Sequence, residues 1–133
     1  MSDLLSPLCV KNMSLKNRIV MPPMASNTAT LEGMATEATF SYYEERADRG
    51  VGLIIVEHTY VLKSGKYRER QLGIDCDDHI GPLSELTRRV HACGAAIGIQ
   101  ITHAGAATRS STIGQRPLGP SVVPLSPEHE VPC

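Results

Sequence analysis

The feature that most constrains the fold is a pattern that occurs twice, in residues 46–58 and 90–103. Each copy consists of the end of an amphipathic segment, a glycine, and a run of mainly apolar residues. Gly50 and Gly94 suit the left-handed conformation that commonly ends a helix. The apolar runs lack strict alternation, which is typical of parallel strands covered on both faces. The repeated pattern therefore predicts an α/β fold.

A helix is predicted ahead of each of these glycines. The first begins near Thr36, a suitable N-cap, and the second begins after Asp77 or Asp78. Apolar residues at helical spacing predict which side chains each helix buries. They are Phe40, Tyr43 and Ala47 in the first helix, and Ile80, Leu83, Leu86 and Val90 in the second.

Shorter elements are predicted at both ends of the chain. Leu8–Val10 and Met13–Leu15 flank a polar turn and predict a small β-hairpin. Arg18–Met21 predicts the first parallel strand, because the two prolines at 22 and 23 would stop it. From Thr102 onward glycine, serine, threonine and proline dominate, so a loop is expected to the end of the chain.

Charge and composition exclude several classes of function. The 13 basic and 14 acidic residues are interspersed, so the charge pattern favours neither a nucleic acid nor an anionic membrane as a partner. No apolar run approaches the ~20 residues that span a bilayer, and the first residues lack an export pattern. A cytosolic protein is expected. The four cysteines form no C-x-x-C pair, which favours reduced structural thiols over a zinc or iron–sulfur motif.

The predicted elements do not complete a domain. Three parallel strands and two helices leave the sheet open, and the tail supplies no further helix to cover it. A (β/α)8 barrel usually needs about 250 residues, whereas this chain has 133. Residues 1–133 are therefore expected to form the N-terminal part of a single barrel domain whose remainder is absent. An isolated part would expose strand edges, so self-association is expected.

Active sites in parallel α/β folds gather at the carboxyl ends of the strands. The predicted strands deliver residues 22–27, residues 57–60, and Gln100 followed by residues 103–105 to that end. Gln100 is an amide in an otherwise apolar strand, so it needs hydrogen-bond partners. A heteroaromatic edge would satisfy it, and so would neighbouring backbone or water. Pro23 and Met24 could form an apolar floor under a planar ring, or simply pack at the rim.

Glu57, His58 and His103 raise the alternative of a metal or acid–base site. Adjacent residues of a strand point to opposite faces, so Glu57 and His58 are not expected to share one site, and no metal is predicted. The other histidines, His79 among them, are expected to be solvated. A metal-dependent barrel hydrolase using His58 and His103 and a non-enzymatic α/β binding module remain as competing hypotheses. Glycine-rich dinucleotide, P-loop and α/β-hydrolase motifs are absent from the sequence.

Four motifs resemble the old yellow enzyme family of NAD(P)H-dependent flavin oxidoreductases, particularly its bacterial ene-reductase and 2,4-dienoyl-CoA reductase-like branch. They are residues 15–24, 52–57, 97–105 and 119–121, in the family's order. The resemblance implies a TIM barrel that binds FMN at the carboxyl ends of its strands. It also implies that NADH or NADPH reduces the flavin, and that an activated alkene or a related small molecule reoxidises it.

The resemblance assigns roles to individual positions. Four residues match the segment that lies along the flavin ring: Pro22, Pro23, Met24 and Ala25. His58 matches a residue whose backbone approaches the flavin, Gln100 matches the glutamine that binds its pyrimidine edge, and Asn27 stands where many members place a substrate-contacting tyrosine. Ala25 lacks the hydroxyl or thiol with which many members tune the flavin potential. The family's catalytic residues belong to later strands, so none is expected in this chain, and the chain alone is expected to be inactive.

Overall fold

A computed structural model describes residues 3–133 and begins with the expected hairpin. β1 (Leu8–Val10) pairs antiparallel with β2 (Met13–Leu15), with Leu8 opposite Leu15. Lys11 lies in the turn with a φ of 52°, in the left-handed region. The hairpin predicted from the two apolar triplets is therefore confirmed.

Three parallel strands follow in the predicted order. β3 (Val20–Met21) pairs with β4 (Leu53–Tyr60), and β4 pairs with β5 (Ala96–Thr102), which gives the sheet order β3-β4-β5. β3 is shorter than predicted because the N–H of Ile19 donates to the side chain of Asn17 (3.0 Å) instead of entering the sheet. Within residues 3–133 the sheet does not close into a barrel.

Two helices connect the parallel strands. α1 spans Glu37–Asp48 and begins at Thr36, whose hydroxyl accepts a hydrogen bond from the N–H of Thr39. α2 spans Ile80–Ala92, after a single 3-10 turn over residues 77–79. Both predicted helices are confirmed, as are the left-handed glycines that follow them, with φ of 97° at residue 50 and 68° at residue 94.

The helices cover one face of the sheet. The core joins that face to the inner sides of α1 and α2, and its central residues are Tyr43, Ala47, Ile54, Val56, Leu86 and Val90. Ile97 and Ile99 of β5 pack against the same core. Because side chains alternate along a strand, the residues between them, Gly98 and Gln100, lie on the opposite face. No helix covers that face within the described part of the chain.

Two predicted details of α2 and the tail are wrong. Ile80 was expected to be buried but is 61% exposed. It is the first residue of α2, one turn before Leu83 makes the first contact with the core. The tail was expected to be loop throughout, yet it contains a 3-10 turn at residues 105–107 and a short helix, α3, at Ser110–Ile113.

An arginine ties the two long helices together at the surface. Arg89 of α2 contacts Glu37 (2.6 Å) and Glu44 (3.4 Å) of α1, and also Glu85 (2.8 Å) one turn earlier in its own helix. Arg88 contacts Glu85 as well, at 2.7 Å. Among residues 3–133, no helix has the length and apolar character needed to cross a membrane.

Candidate functional site

A β-bulge in β4 decides which side chains reach the open face of the sheet. Val56 pairs with Ile99 and His58 pairs with Gln100, so Glu57 is an extra residue with no partner in β5. Val56 and Ile99 face the helices. The extra residue shifts the alternation by one position, and His58 therefore lies beside Gln100 on the open face.

Glu57 points the other way, towards α1. It is 1% exposed, and its carboxylate accepts hydrogen bonds from the N–H of Ser26 (3.0 Å), the Ser26 hydroxyl and the Tyr43 hydroxyl (3.1 Å). The N–H of Glu57 donates to the oxygen of Tyr43 (2.9 Å). Burial raises the pKa of Tyr43; the hydrogen bond from the Glu57 N–H opposes this, whereas the Glu57 carboxylate adds to it. Glu57 thus anchors the segment after β3 to α1, and it does not share a face with His58, as expected.

The segment after β3 lies at the surface outside the core. Met24 is 53% exposed, and Pro22, Ala25 and Asn27 are exposed as well, whereas Pro23 is half-buried. Asn27 has a φ of 55°, in the left-handed region that asparagine tolerates better than most residues. The segment is therefore held by Ser26 while the side chains around it stay free of the core.

Gln71 holds His58 in place. Its amide oxygen accepts a hydrogen bond from the N–H of Tyr67 (2.6 Å), which turns its amide nitrogen towards His58. That nitrogen donates to the carbonyl oxygen of His58 (3.0 Å) and to His58 Nδ1 (2.7 Å). An amide nitrogen is only a donor, so Nδ1 accepts and the neutral ring carries its proton on Nε2. Gln71 is 1% exposed, and no sequence signal in its charged surroundings marks it as important.

Gln100 offers a free amide on the open face. Its side chain is exposed and makes no hydrogen bond to any of residues 3–133. Bonding to neighbouring backbone, one of the two alternatives for this residue, is therefore not what the structure has. On the same face, Gly98 leaves a gap in which an added Cβ would first meet Ile55 Cδ1, at 3.4 Å. Because residue 98 has no side chain, the surface beside Gln100 is open and flat, with the apolar Ile55 next to it.

The histidine pair of the metal hypothesis is engaged elsewhere. Nδ1 of His103 accepts from the N–H of Gly105 (3.0 Å), and its Nε2 lies 3.3 Å from the Ser64 hydroxyl. Gly65 packs so closely against the His103 ring that a side chain there would collide with it. With Nδ1 of His58 bonded to Gln71, the two rings give no support to a shared metal site.

A different group of possible metal ligands lies in the loop before α2. Within residues 3–133, Asp75, Cys76 and His79 bring three ligand atoms within 4.8 Å of one another. His79 was expected to be solvated, but it is 3% exposed, with Nε2 3.1 Å from Asp75 Oδ1 and its ring edge-on to Tyr60. Since the ring already packs against Tyr60 and bonds Asp75, the group is accounted for as part of the loop structure.

Comparison with known proteins places the chain beside flavin oxidoreductases. A sequence profile of the NADH:flavin oxidoreductase / NADH oxidase family matches residues 3–130. The NADPH dehydrogenase of Geobacillus thermodenitrificans is 42% identical over 130 residues, which are 97% of this chain and 37% of that protein. The NADH oxidase of Thermoanaerobacter brockii is 44% identical over 119 residues, which are 88% of this chain and 18% of that protein.

The structural comparison agrees. The old yellow enzyme homologue from Zymomonas mobilis superposes with a TM-score of 0.85 and 32% identity, over 92% of this chain and 34% of that one. The predicted fold class is therefore confirmed: the chain has the fold of part of an old yellow enzyme barrel, with three parallel strands and no closure. The chain spans little more than a third of the relatives' length at most.

Proposed function

The chain belongs to the NADH:flavin oxidoreductase / NADH oxidase family, and on this premise we propose that its parent protein passes hydride from NADH or NADPH, through FMN, to an activated alkene or a similar acceptor. Residues 1–133 are the N-terminal part of one FMN-binding barrel domain in this proposal. The chain alone is inactive, because the rest of the barrel is needed to enclose the cofactor. A cytosolic location and self-association stay predictions.

The observation that carries the proposal is the placement of His58 and Gln100 side by side on an uncovered sheet face. They lie near the carboxyl ends of neighbouring parallel strands, where parallel α/β enzymes build their active sites. Gln100 presents both a donor and an acceptor that bond no group among residues 3–133, and its side chain is exposed. The pyrimidine edge of a flavin offers the complementary acceptor and donor, so the residues present fit the cofactor.

Each proposed contact has a distinct physical task. Gln100 orients the ring in its plane by hydrogen bonding, and His58 contributes backbone contact from a position that Gln71 fixes. The segment Pro22–Ala25 lies along the ring as an apolar support, held by Ser26 and Glu57. Bound FMN would supply the redox centre that takes up hydride and passes it on.

Asn27 is proposed to contact the substrate. It follows the supporting segment directly and is exposed, so its amide can reach a molecule stacked above the ring. An asparagine is shorter than the tyrosine that many members of the family carry, which leaves more room over the ring. Ala25 adds no polar group near the flavin. The chain therefore supports the ring mainly by shape and by the Gln100 amide.

The proposal is tested with the purified full-length parent protein. FMN content is measured first, then anaerobic bleaching of the flavin by NADPH and NADH, and then reoxidation by 2-cyclohexenone as an activated alkene. Equimolar FMN, bleaching by at least one nicotinamide and reoxidation by the alkene are expected. A flavin-free protein that oxidises neither nicotinamide would contradict the proposal and favour a non-enzymatic binding module.

The truncated chain provides the second half of the test. Residues 1–133 expressed alone are expected to retain no equimolar FMN and to oxidise no NADPH. A yellow 133-residue chain that turns over would show that the remainder of the barrel is dispensable, against the proposal.

A further inference from the structure

A cavity of about 440 Å³ opens where the loops after all three parallel strands meet. Asn27 lines it from the loop after β3, Tyr67, Arg68 and Arg70 from the loop after β4, and Arg109 from the loop after β5. These five residues define what is called here the arginine cavity. It lies at the same end of the sheet as the proposed flavin site.

The guanidinium groups of the arginine cavity form no direct ion pair among residues 3–133. Within residues 3–133, Arg68, Arg70 and Arg109 have no carboxylate within 4.0 Å, and Arg70 donates one hydrogen bond, to the Ala29 carbonyl (3.5 Å). Glu69 is the one acidic residue that lines the cavity. The cavity therefore carries a positive charge with free donors, and Arg guanidinium forks match the geometry of phosphate and carboxylate oxygens.

Tyr67 connects the arginine cavity to the proposed flavin site. Its ring lines the cavity and also lies edge-on to His58, with 6.2 Å between ring centroids. Its N–H bonds Gln71, the residue that positions His58. Arg68 lies over the same tyrosine ring, 5.2 Å from its centroid. A molecule stacked on the flavin beside His58 could thus extend a substituent past Tyr67 into the cavity.

We propose that the arginine cavity binds an anionic oxygen group, a phosphate or a carboxylate, carried by the molecule that exchanges hydride with the flavin. The inference rests on the proposed function and narrows its ligand class. Two sources carry this chemistry: the 2′-phosphate of NADPH, which NADH lacks, and an acidic group on the acceptor. In either case the anion anchors the ligand while its reacting end lies over the ring.

The first experiment tests anion binding without turnover. The full-length parent is treated with phenylglyoxal, which modifies arginines, with and without inorganic phosphate, and modified sites are located by mass spectrometry. Phosphate is expected to protect Arg68, Arg70 and Arg109 but not Arg49, an exposed arginine of the α1 terminus. Equal modification of all four with and without phosphate would overturn the inference. Protection in a protein that transfers no hydride would instead defeat the proposed function and leave an anion site.

The second experiment identifies the source of the anion. Arg68→Ala, Arg70→Ala and Arg109→Ala are compared with Arg49→Ala as the matched control, in the FMN-loaded parent. Reduction is measured with NADPH and NADH, and reoxidation with 4-carboxycinnamaldehyde and its methyl ester. NADPH and NADH form one pair, and the carboxylate and its methyl ester form the other; the first compound of each pair carries the extra negative charge. Loss of a charge-assisted contact is expected to lower kcat/KM about tenfold for the charged member of one pair. The neutral member of that pair and the control variant are expected to change little.

The pattern of losses decides between the two sources. A loss confined to NADPH assigns the cavity to the reductant, and a loss confined to the carboxylate assigns it to the acceptor. Added salt should shrink the preference for the charged member, because exposed charges are screened. Equal losses for charged and neutral members, or a fall in FMN content, would overturn the inference; the fall in FMN content would point to the phosphate of the cofactor.

Discussion

Removing the hydroxyl of Tyr43 isolates the contact that anchors the segment after β3. The residue is fully buried, and its oxygen both accepts from the N–H of Glu57 (2.9 Å) and donates to the Glu57 carboxylate (3.1 Å). Tyr43→Phe leaves the N–H of Glu57 without this partner and removes one of the hydrogen bonds that the buried Glu57 carboxylate accepts. Typical values for a buried unpaired donor and a lost bond to a charged group together predict about 3 kcal/mol of destabilisation. Burial raises the pKa of Tyr43, so the hydroxyl stays protonated and the loss should not depend on pH near neutrality.

The assay is urea unfolding of the flavin-free full-length parent, with the slope of the transition checked for constancy. Tyr42→Phe is the matched control, because Tyr42 is adjacent in α1 and its hydroxyl makes no hydrogen bond within the described residues. The control is expected to change the free energy of unfolding by less than about 0.5 kcal/mol. A Tyr43→Phe effect no larger than that of the control would refute the assigned role of the Tyr43–Glu57 contact.

Gln100, the ion pairs of Glu85 and the open edges of the sheet can each be tested separately. Gln100→Leu should raise the FMN dissociation constant of the parent by about tenfold or more, because hydrogen bonds to the flavin are lost. Flavin fluorescence titration measures this constant. Gln115 is an exposed glutamine in the tail, and Gln115→Leu should leave the constant unchanged. Hydrogen bonds from Arg88 and then Arg89 lower the pKa of Glu85 to about 2. The difference in free energy of unfolding between the parent and Glu85→Gln should therefore be full above pH 4.5 and vanish as the pH falls through about 2. A difference that does not change with pH would contradict this. The isolated chain should sediment as a concentration-dependent mixture, because the outer edges of β3 and β5 have no partner strand among residues 3–133 and Ile101 is 63% exposed. A strictly monomeric sample would argue against that expectation.

Local pattern accounts for most of the fold. The left-handed glycines at 50 and 94, the cap at Thr36 and the unbroken apolar runs are each decided by a few neighbouring residues, so they could be predicted from the sequence. The order of the parallel strands followed from the same repeat. The late start of β3, at Val20 instead of Arg18, could not, because it depends on the Asn17 side chain competing with the sheet for the Ile19 N–H.

The site was only partly predictable, because it depends on contacts between distant residues. Gln100 could be picked out as a lone amide in an apolar strand. The bulge at Glu57 could not, since it is stabilised by Tyr43 and Ser26, which lie 14 and 31 positions away. Nor could Gln71, whose two-sided contact with His58 exists only once the loop has folded back on β4. Strand alternation alone would have put His58 on the wrong face.

A crystal structure of the full-length parent with FMN bound would test most directly whether Gln100 holds the flavin. The decisive measurement is the distance between the Gln100 side-chain amide and the pyrimidine edge of the flavin. Hydrogen bonds of about 3 Å are expected, with the ring lying over Gly98 and next to His58 on the face away from α1 and α2. A flavin bound on any other face, or a Gln100 amide bonded to protein instead of the ring, would contradict it.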